Sequence, residues 1–128
     1  MGYWDNSCNI SKLEGKTIVG IDRLEEGSDS ITFRLADGAR LEMYHEQDCC
    51  ESVWLEDIDG NAGGYVISAY ESSEDASDSE LVYDSGTWTF YRIVSEQGIL
   101  VLRWLGTSNG YYGEGVSTYY YDAQGVNE

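Results

Sequence analysis

The chain has 128 residues, 41% of them hydrophobic and 13% aromatic, which predicts one domain, residues 1–128, with one packed core. Its 24 acidic and 7 basic side chains leave a net charge of −17, which disfavours direct binding to nucleic acid because phosphate contacts need lysine and arginine. Without an apolar leader after Met1 or an apolar run of membrane-spanning length, and with an odd number of cysteines, the sequence predicts a cytoplasmic protein that has no membrane partner.

The residue patterns along the chain predict many short strands and almost no helix. Asn9 or Ser11 could cap a short helical turn, and the later segments are rich in β-branched and aromatic residues. The fold class is therefore mainly β, or α+β with one short helix, built as a single small antiparallel twisted sheet or a barrel-like roll. In chain order, the expected elements are a helical turn at 9–15 and strands at 16–21, 30–35, 40–45, 52–58, 65–71, 87–94, 99–106 and 116–121.

Several of these segments carry further expectations. The period of 52–58 also allows one helical turn, and segments 57–64 and 72–80 are polar or rich in glycine, which predicts loops. The strand at 99–106 has apolar residues on both faces, which predicts a central position in the sheet. The last strand, 116–121, is expected at an edge.

The clearest local pattern is a hairpin centred on Asp37 and Gly38. An Asp-Gly pair between two alternating segments is typical of a tight turn between antiparallel strands. On the second strand, Leu41, Met43 and His45 share one face, which we expect to point toward the core. His45 would then lie at the inward end of the strand and would need a polar partner.

The acidic residues are concentrated in one part of the chain. No lysine or arginine lies between Arg40 and Arg92, and the 51 residues from 41 to 91 hold 13 acids. This charge could serve solubility alone, or it could form an acidic face for a basic partner such as a nucleic-acid-binding protein. The residues expected to contact such a partner are Glu56, Asp57, Asp59, Glu71, Glu74, Asp75, Asp78 and Glu80.

A second candidate site lies in the segment YHEQDCCESV, residues 44–53, which holds the only histidine of the chain. Zinc binds cysteine sulfur, histidine nitrogen and carboxylate oxygen, usually with four protein ligands in a structural site. Cys8, Asp57 or Glu114 could supply the ligand that must come from elsewhere in the chain. The candidate zinc ligands within the segment are His45, Asp48, Cys49, Cys50 and Glu51.

The same segment allows other interpretations. The Cys-x-x-Cys spacing of many zinc sites is absent, and adjacent cysteines on a straight strand point to opposite faces. One cysteine could be a small buried apolar residue, with His45 bonded to a carboxylate. A disulfide between Cys49 and Cys50 would be strained and rare in a reducing compartment.

The sequence does not predict an enzyme. It holds neither a Gly-x-Ser-x-Gly motif nor a phosphate-binding glycine loop followed by lysine. A Cys-His nucleophile pair could form only from Cys49 or Cys50 with His45, and the acidic surroundings oppose formation of a thiolate.

Several motifs together resemble a family of small acidic proteins from bacteriophages and prophages, of unknown function. The matching motifs are the histidine at His45, Gln-Asp-Cys-Cys-Glu at 47–51, Trp-Thr-Phe-Tyr at 88–91 and Ser-Asn-Gly-Tyr-Tyr at 108–112. The resemblance extends over residues 15 to 117. Phage proteins of this size often block host defence, and some anti-CRISPR proteins are acidic or contain metal. The resemblance therefore implies an inhibitor, with a structural zinc ion as a possible cofactor.

Two main hypotheses follow. The first is an acidic, anti-CRISPR-like inhibitor that occludes the basic nucleic-acid-binding surface of a Cas effector in the cytoplasm of a bacterial host. The second is a small zinc-binding accessory or regulatory protein without a nuclease target. An enzyme that acts through Cys49 or Cys50 is a third alternative.

Overall fold

A computed structural model describes residues 7–45, 51–76, 79, 82, 85–108 and 114–122. These residues form strands and one 3₁₀ helix, and no helix among them is long and apolar enough to cross a membrane. The elements are β1 (Ser7–Cys8), the 3₁₀ helix (Ile10–Leu13), β2 (Thr17–Asp22), β3 (Ser30–Leu35), β4 (Arg40–Tyr44), β5 (Ser52–Gly60), β6 (Gly64–Asp75), β7 (Ser85–Ser95), β8 (Gly98–Ser108) and β9 (Ser117–Tyr121).

The strands form one antiparallel sheet in the order β1-β9-β4-β3-β2-β6-β7-β8-β5. The prediction of a mainly β, antiparallel fold is confirmed. β8 is an interior strand, flanked by β7 and β5, but it lies next to the end of the sheet order and not at its centre. The sheet is open, so the twisted-sheet alternative is correct and the barrel-like roll is not. The only helical element among the described residues is the 3₁₀ helix, which is capped by Asn9 through a bond from the Ser11 amide.

The hairpin predicted at Asp37 and Gly38 joins β3 to β4. Gly38 has a positive φ of 90°, and the Asp37 carboxylate accepts a hydrogen bond from the Ala39 amide. Glycine adopts such a φ without steric penalty, which explains its place in the turn. Leu41 and Met43 are both fully buried, as the alternation predicted.

Both halves of the sheet contribute to one core. The loop between β2 and β3 reaches β5, where the Gly27 amide donates to the Leu55 carbonyl and the Leu55 amide donates to the Ser28 carbonyl. These bonds link an early loop to the last strand in the sheet order, so the two halves face each other across the apolar interior. The largest fully buried side chains are Trp104, Tyr91, Phe33, Ile10, Leu13, Ile31, Leu41, Met43, Leu55, Ile93, Leu100 and Leu102.

Two sequence expectations about strand limits and one about the position of a strand in the sheet are wrong. β5 continues through Asp59 to Gly60, and β6 continues to Asp75, where loops were expected. In both cases backbone pairing with a neighbouring strand extends a segment whose side chains are polar. β9 is not an edge, because it pairs with β4 on one side and with β1 on the other.

Gly60 allows a close approach between β5 and β8. Its φ is +82°, and a Cβ atom there would lie 2.0 Å from the Ile99 carbonyl oxygen. We expect Gly60→Ala to lower the free energy of unfolding by about 2 kcal/mol or more, since both backbone strain and a steric clash oppose the substitution. Urea denaturation followed by tryptophan fluorescence measures this change.

Gly27 supplies the matched control. It also has a positive φ, +92°, but a Cβ atom there would meet no other atom within 4 Å. Gly27→Ala should therefore show the backbone strain alone, about 1 kcal/mol. Equal losses for the two variants would contradict the steric role assigned to Gly60.

Candidate functional site

His45 lies just beyond β4 and forms a buried pair with Glu51. The Nε2 atom of His45 is 2.7 Å from Glu51 Oε2, and its Nδ1 atom is 2.8 Å from the Gly115 carbonyl oxygen. The side chain of Glu51 is 1% exposed and that of His45 is 12% exposed. The predicted need of His45 for a polar partner is therefore met from two sides.

The hydrogen-bond partners of the two ring nitrogens of His45 indicate where its protons lie. A backbone carbonyl can only accept, so Nδ1 donates to Gly115. Nε2 lies at hydrogen-bond distance from a Glu51 carboxyl oxygen, so this contact also needs a proton, on the ring or on the carboxyl group. Since a buried polar group is destabilising unless it is hydrogen-bonded, each group supplies the partner that the other needs.

The arrangement of His45 also suits a metal ligand. A histidine that binds a metal usually donates its other N–H to a carbonyl or carboxylate, as Nδ1 does here. The structure brings His45 and Glu51 together, whereas Asp48, Cys49 and Cys50 lie outside the described residues. Within the described ranges, no group of three or more histidine, cysteine or acidic residues is arranged to hold a metal ion.

None of the three candidates for a distant ligand joins His45 among these residues. Cys8 is half-buried in β1, and burial raises the pKa of its thiol. Asp57 faces Arg103, with an oxygen to nitrogen distance of 3.9 Å. The carboxylate of Glu114 accepts hydrogen bonds from hydroxyl groups, although its neighbour Gly115 contacts His45.

Glu114 is the centre of a polar cluster that the sequence did not predict. Its carboxylate accepts a hydrogen bond from Thr87 Oγ1 at 2.8 Å and another from the Ser108 hydroxyl. Its backbone lies against Gly106, where a Cβ atom would be 2.0 Å from the Glu114 carbonyl oxygen. Gly106 thus lets the segment before β9 lie on β8, which places the Gly115 carbonyl beside His45.

The hydrogen bonds to Glu114 predict a pH dependence of stability. Burial opposes ionisation, but hydrogen bonds from Ser108, Ser85 and Thr87 outweigh it and hold the pKa of Glu114 below its ordinary value of 4.5. A lowered pKa in the folded state stabilises the fold at pH values above the ordinary pKa. This contribution is lost as the pH falls through the folded-state pKa. Glu114→Gln should therefore be less stable than the wild type at neutral pH, and the difference should shrink in acid.

Urea denaturation of both proteins at a series of pH values measures this difference. Glu25→Gln, at an exposed position in the loop between β2 and β3, is the control and should follow the wild type at every pH. A Glu114→Gln difference that stays constant from neutral to acidic pH would contradict the role given to the ionised carboxylate.

The acids expected to contact a basic partner fall into two groups. Glu56, Asp57 and Asp59 lie on β5, where Glu56 accepts a hydrogen bond from Trp54 Nε1 at 2.6 Å. Glu71, Glu74 and Asp75 lie on β6, and all three are exposed. Strands β7 and β8 separate the two groups in the sheet, and Asp78 and Glu80 lie outside the described residues.

Most basic side chains contact an acidic or an aromatic side chain. Four arginines approach acids: Arg23 with Asp29, Arg34 with Asp22, Arg40 with Glu42, and Arg103 with Asp57. The Nζ atoms of Lys12 and Lys16 lie 4.7 and 5.2 Å from the centroid of the Tyr120 ring. In the part of the chain that the structure describes, no basic side chain forms an ion pair with Glu71 or Glu74.

The acids of β6 also lie where, among the described strands, β6 is paired on one side only. β6 pairs with β2 only at Gly64 and Tyr65, while its pairing with β7 continues to Asp75. All residues from Tyr70 to Asp75 are exposed. We call this segment, residues 70–75, the acidic edge. The sequence predicted the acids of this segment as contacts for a partner. Because the segment is polar, it also predicted a loop from residue 72 onward, where the structure has a strand.

Comparison with known proteins identifies a family. A family profile described as a domain of unknown function (DUF7448) matches residues 11–118, which include β2 to β8, His45, Glu51 and the acidic edge. No curated protein and no solved structure matches the chain significantly. Because the profile extends over well more than half of the sequence, the chain belongs to the DUF7448 family.

Proposed function

We propose that this protein is a binding protein, not an enzyme, and that its acidic edge binds a basic surface of a partner protein. The observation that carries the proposal is the acidic edge itself, which exposes Glu71, Glu74 and Asp75 on a strand paired on one side by β7. The sequence from 41 to 91 contains no lysine or arginine, so the acidic edge itself carries no positive charge, and Arg92 on β7 lies opposite its first residue, Tyr70.

The partner best suited to this surface is a protein that normally binds nucleic acid. Its lysine and arginine side chains would pair with the carboxylates of the acidic edge instead of with phosphates. The resemblance to acidic phage proteins supports an anti-CRISPR-like inhibitor, with a Cas effector in the bacterial cytoplasm as the target. Inhibition would then be steric and electrostatic, and it would require no catalytic group.

A matched pair of charge reversals tests the proposal. The test variant is Glu71→Lys with Glu74→Lys on the acidic edge, and the control is Glu25→Lys with Glu26→Lys in the exposed loop between β2 and β3. Both variants change the net charge equally. Each protein is immobilised and exposed to bacterial lysate at increasing salt, and the retained basic proteins are quantified by mass spectrometry.

We expect the wild type and the control to retain the same basic protein and to lose it as salt rises, because salt screens exposed charges. The Glu71→Lys, Glu74→Lys variant should retain about tenfold less, the result of losing about 1.4 kcal/mol of interaction. Equal retention by the two variants would show that net charge, and not the acidic edge, drives binding. Circular dichroism of each variant confirms that the fold is intact.

We also propose a second candidate function, a structural zinc ion held by His45 and Glu51. The supporting observation is the convergence of Nε2 with the Glu51 carboxylate while Nδ1 donates to the Gly115 carbonyl. Cys49 or Cys50 would supply sulfur, and the ion would tie the end of β4 to the start of β5.

Elemental analysis of protein purified without a histidine tag tests the zinc proposal. Stoichiometric zinc, with a lower melting temperature after chelation that zinc restores, is the expected result. Metal-free protein whose melting temperature does not change on addition of zinc would leave His45 and Glu51 as a metal-independent ion pair.

A further inference from the structure

The pairing of β6 with β7 determines which way the backbone of the acidic edge points. In an antiparallel pair, residues alternate between bonding the neighbouring strand and pointing both backbone groups away from it. The Ala69 amide points away from β7, since it donates to Glu14 Oε2 at 2.9 Å, whereas the Ala76 amide donates to the Gly86 carbonyl beside β7. The register is continuous from residue 69 to 75, so Glu71 and Ser73 also point outward.

The outward groups of Glu71 and Ser73 lie at a solvent-exposed strand edge. The Glu14 side chain accepts a hydrogen bond from this edge at Ala69, and Glu71 and Ser73, which follow along the strand, are exposed. Among the described residues, no strand pairs with β6 past Tyr65 except β7. An exposed strand edge of this kind is a template for another strand, because its N–H and C=O groups are directed at the incoming chain.

The charge of the edge determines which strand can add to it. A second copy of this chain would bring its own Glu71 and Glu74 against the same residues, and like charges opposite each other are destabilising. A strand that carries lysine or arginine would instead form pairs of opposite charge at the same positions. The carboxylates therefore exclude self-association at this edge and favour a basic segment.

We propose that an extended basic segment of the partner adds to the acidic edge as a further β-strand. Its backbone would bond to the outward N–H and C=O groups of Glu71 and Ser73. Its basic side chains would pair with Glu71 on one face and with Glu74 on the other, because successive side chains of a strand point to opposite faces. This inference rests on the proposed function and adds to it the mode of recognition.

Residue-resolved amide exchange with a synthetic probe tests this mode. The probe is a short capped peptide of alternating threonine and lysine, and a peptide of alternating threonine and glutamate is the control. In the free protein the Glu71 and Ser73 amides should exchange rapidly, while the Ser72 amide, which points at β7, should be protected. Saturation with the basic peptide should slow exchange at Glu71 and Ser73 by about tenfold or more, and the acidic peptide should leave it unchanged.

Two changes that preserve charge isolate the backbone contribution. Methylation of alternate amide nitrogens in the basic peptide removes its donors, and Ser73→Pro removes an outward donor of the protein without breaking a bond to β7. Each should weaken binding about tenfold, which corresponds to a loss of about 1.4 kcal/mol of hydrogen bonding. Ser73→Thr is the control and should bind like the wild type, and the spectrum of Ser73→Pro must show the native fold.

The outcomes separate this inference from the proposed function. Strand addition is supported if the basic peptide slows exchange of the Glu71 and Ser73 amides and if peptide methylation and Ser73→Pro each abolish this protection. Binding that depends on Glu71 and Glu74 but leaves the Glu71 and Ser73 amides unprotected overturns strand addition while the acidic edge keeps its role as a charged surface. If the basic peptide fails to bind at all, strand addition is likewise overturned, and the lysate experiment with the charge reversals then decides the proposed function alone.

Discussion

Replacing His45 with alanine is expected to lower the free energy of unfolding by about 3 kcal/mol. The Glu51 carboxyl group, 1% exposed, would lose the hydrogen-bond partner that lies 2.7 Å away. The Gly115 carbonyl would lose its donor at the same time, which would loosen the segment that carries Glu114. Guanidinium denaturation at neutral pH, followed by tryptophan fluorescence, measures the change.

A double-mutant cycle shows whether this loss comes from the pair. His45→Leu alone and Glu51→Leu alone should each destabilise the protein, while the two substitutions combined should leave it more stable than the sum of the two single losses predicts. Replacing both members of a buried hydrogen-bonded pair with apolar residues leaves neither group without its partner. Strict additivity of the two single losses would contradict the pair as the stabilising unit.

Trp104→Ala should have the largest effect of any single truncation, about 4 kcal/mol. Trp104 is fully buried on β8 and is the largest of the fully buried side chains described. Removing it leaves a cavity in the apolar interior that both halves of the sheet share. The variant should unfold at a lower denaturant concentration with little change in the slope of the transition.

Trp104→Phe provides the contrast. Among the described residues, the buried Nε1 atom of Trp104 has no hydrogen-bond partner. Phenylalanine removes this donor, and the relief of its desolvation offsets part of the smaller loss of packing. We expect a stability within about 1 kcal/mol of the wild type, and a loss close to that of alanine would show that the indole N–H is bonded after all.

The hairpin from β3 to β4 could be predicted because its signals are local. The Asp37-Gly38 turn and the alternation through Leu41 and Met43 are properties of adjacent residues. The apolar faces of β8 likewise predicted that strands flank it on both sides. These features do not depend on which distant segments meet in the fold.

The second half of β6 could not be predicted for the opposite reason. Its residues from Ser72 onward are polar and exposed, and they are a strand only because they pair with Phe90 and its neighbours on β7. β1 is a strand only because it pairs with β9, near the other end of the chain. Long-range pairing overrides local composition in both elements.

The candidate site also combines features that local sequence predicts with features that depend on long-range contacts. Alternation predicted that His45 lies at the inward end of its strand and needs a polar partner, but it did not say which of the nearby acids would be that partner, which is Glu51. The Gly115 carbonyl lies 70 residues away in the chain, and no residue pattern predicts that a backbone carbonyl will accept a hydrogen bond from His45. Its position depends on Gly106, whose missing side chain lets the segment of Glu114 approach β8.

The central claim is that a basic partner docks on the acidic edge, and site-specific photo-crosslinking tests it most directly. Tyr70, 50% exposed, lies on the acidic edge, whereas Tyr65, 48% exposed, lies on the same strand where β2 pairs with it. A benzophenone amino acid replaces one tyrosine at a time, and the proteins are irradiated in bacterial lysate. We predict that position 70 crosslinks to a basic nucleic-acid-binding protein, that Glu71→Lys with Glu74→Lys abolishes the crosslink, and that position 65 does not crosslink to it. A basic protein captured from position 65 and not from position 70 would contradict the account.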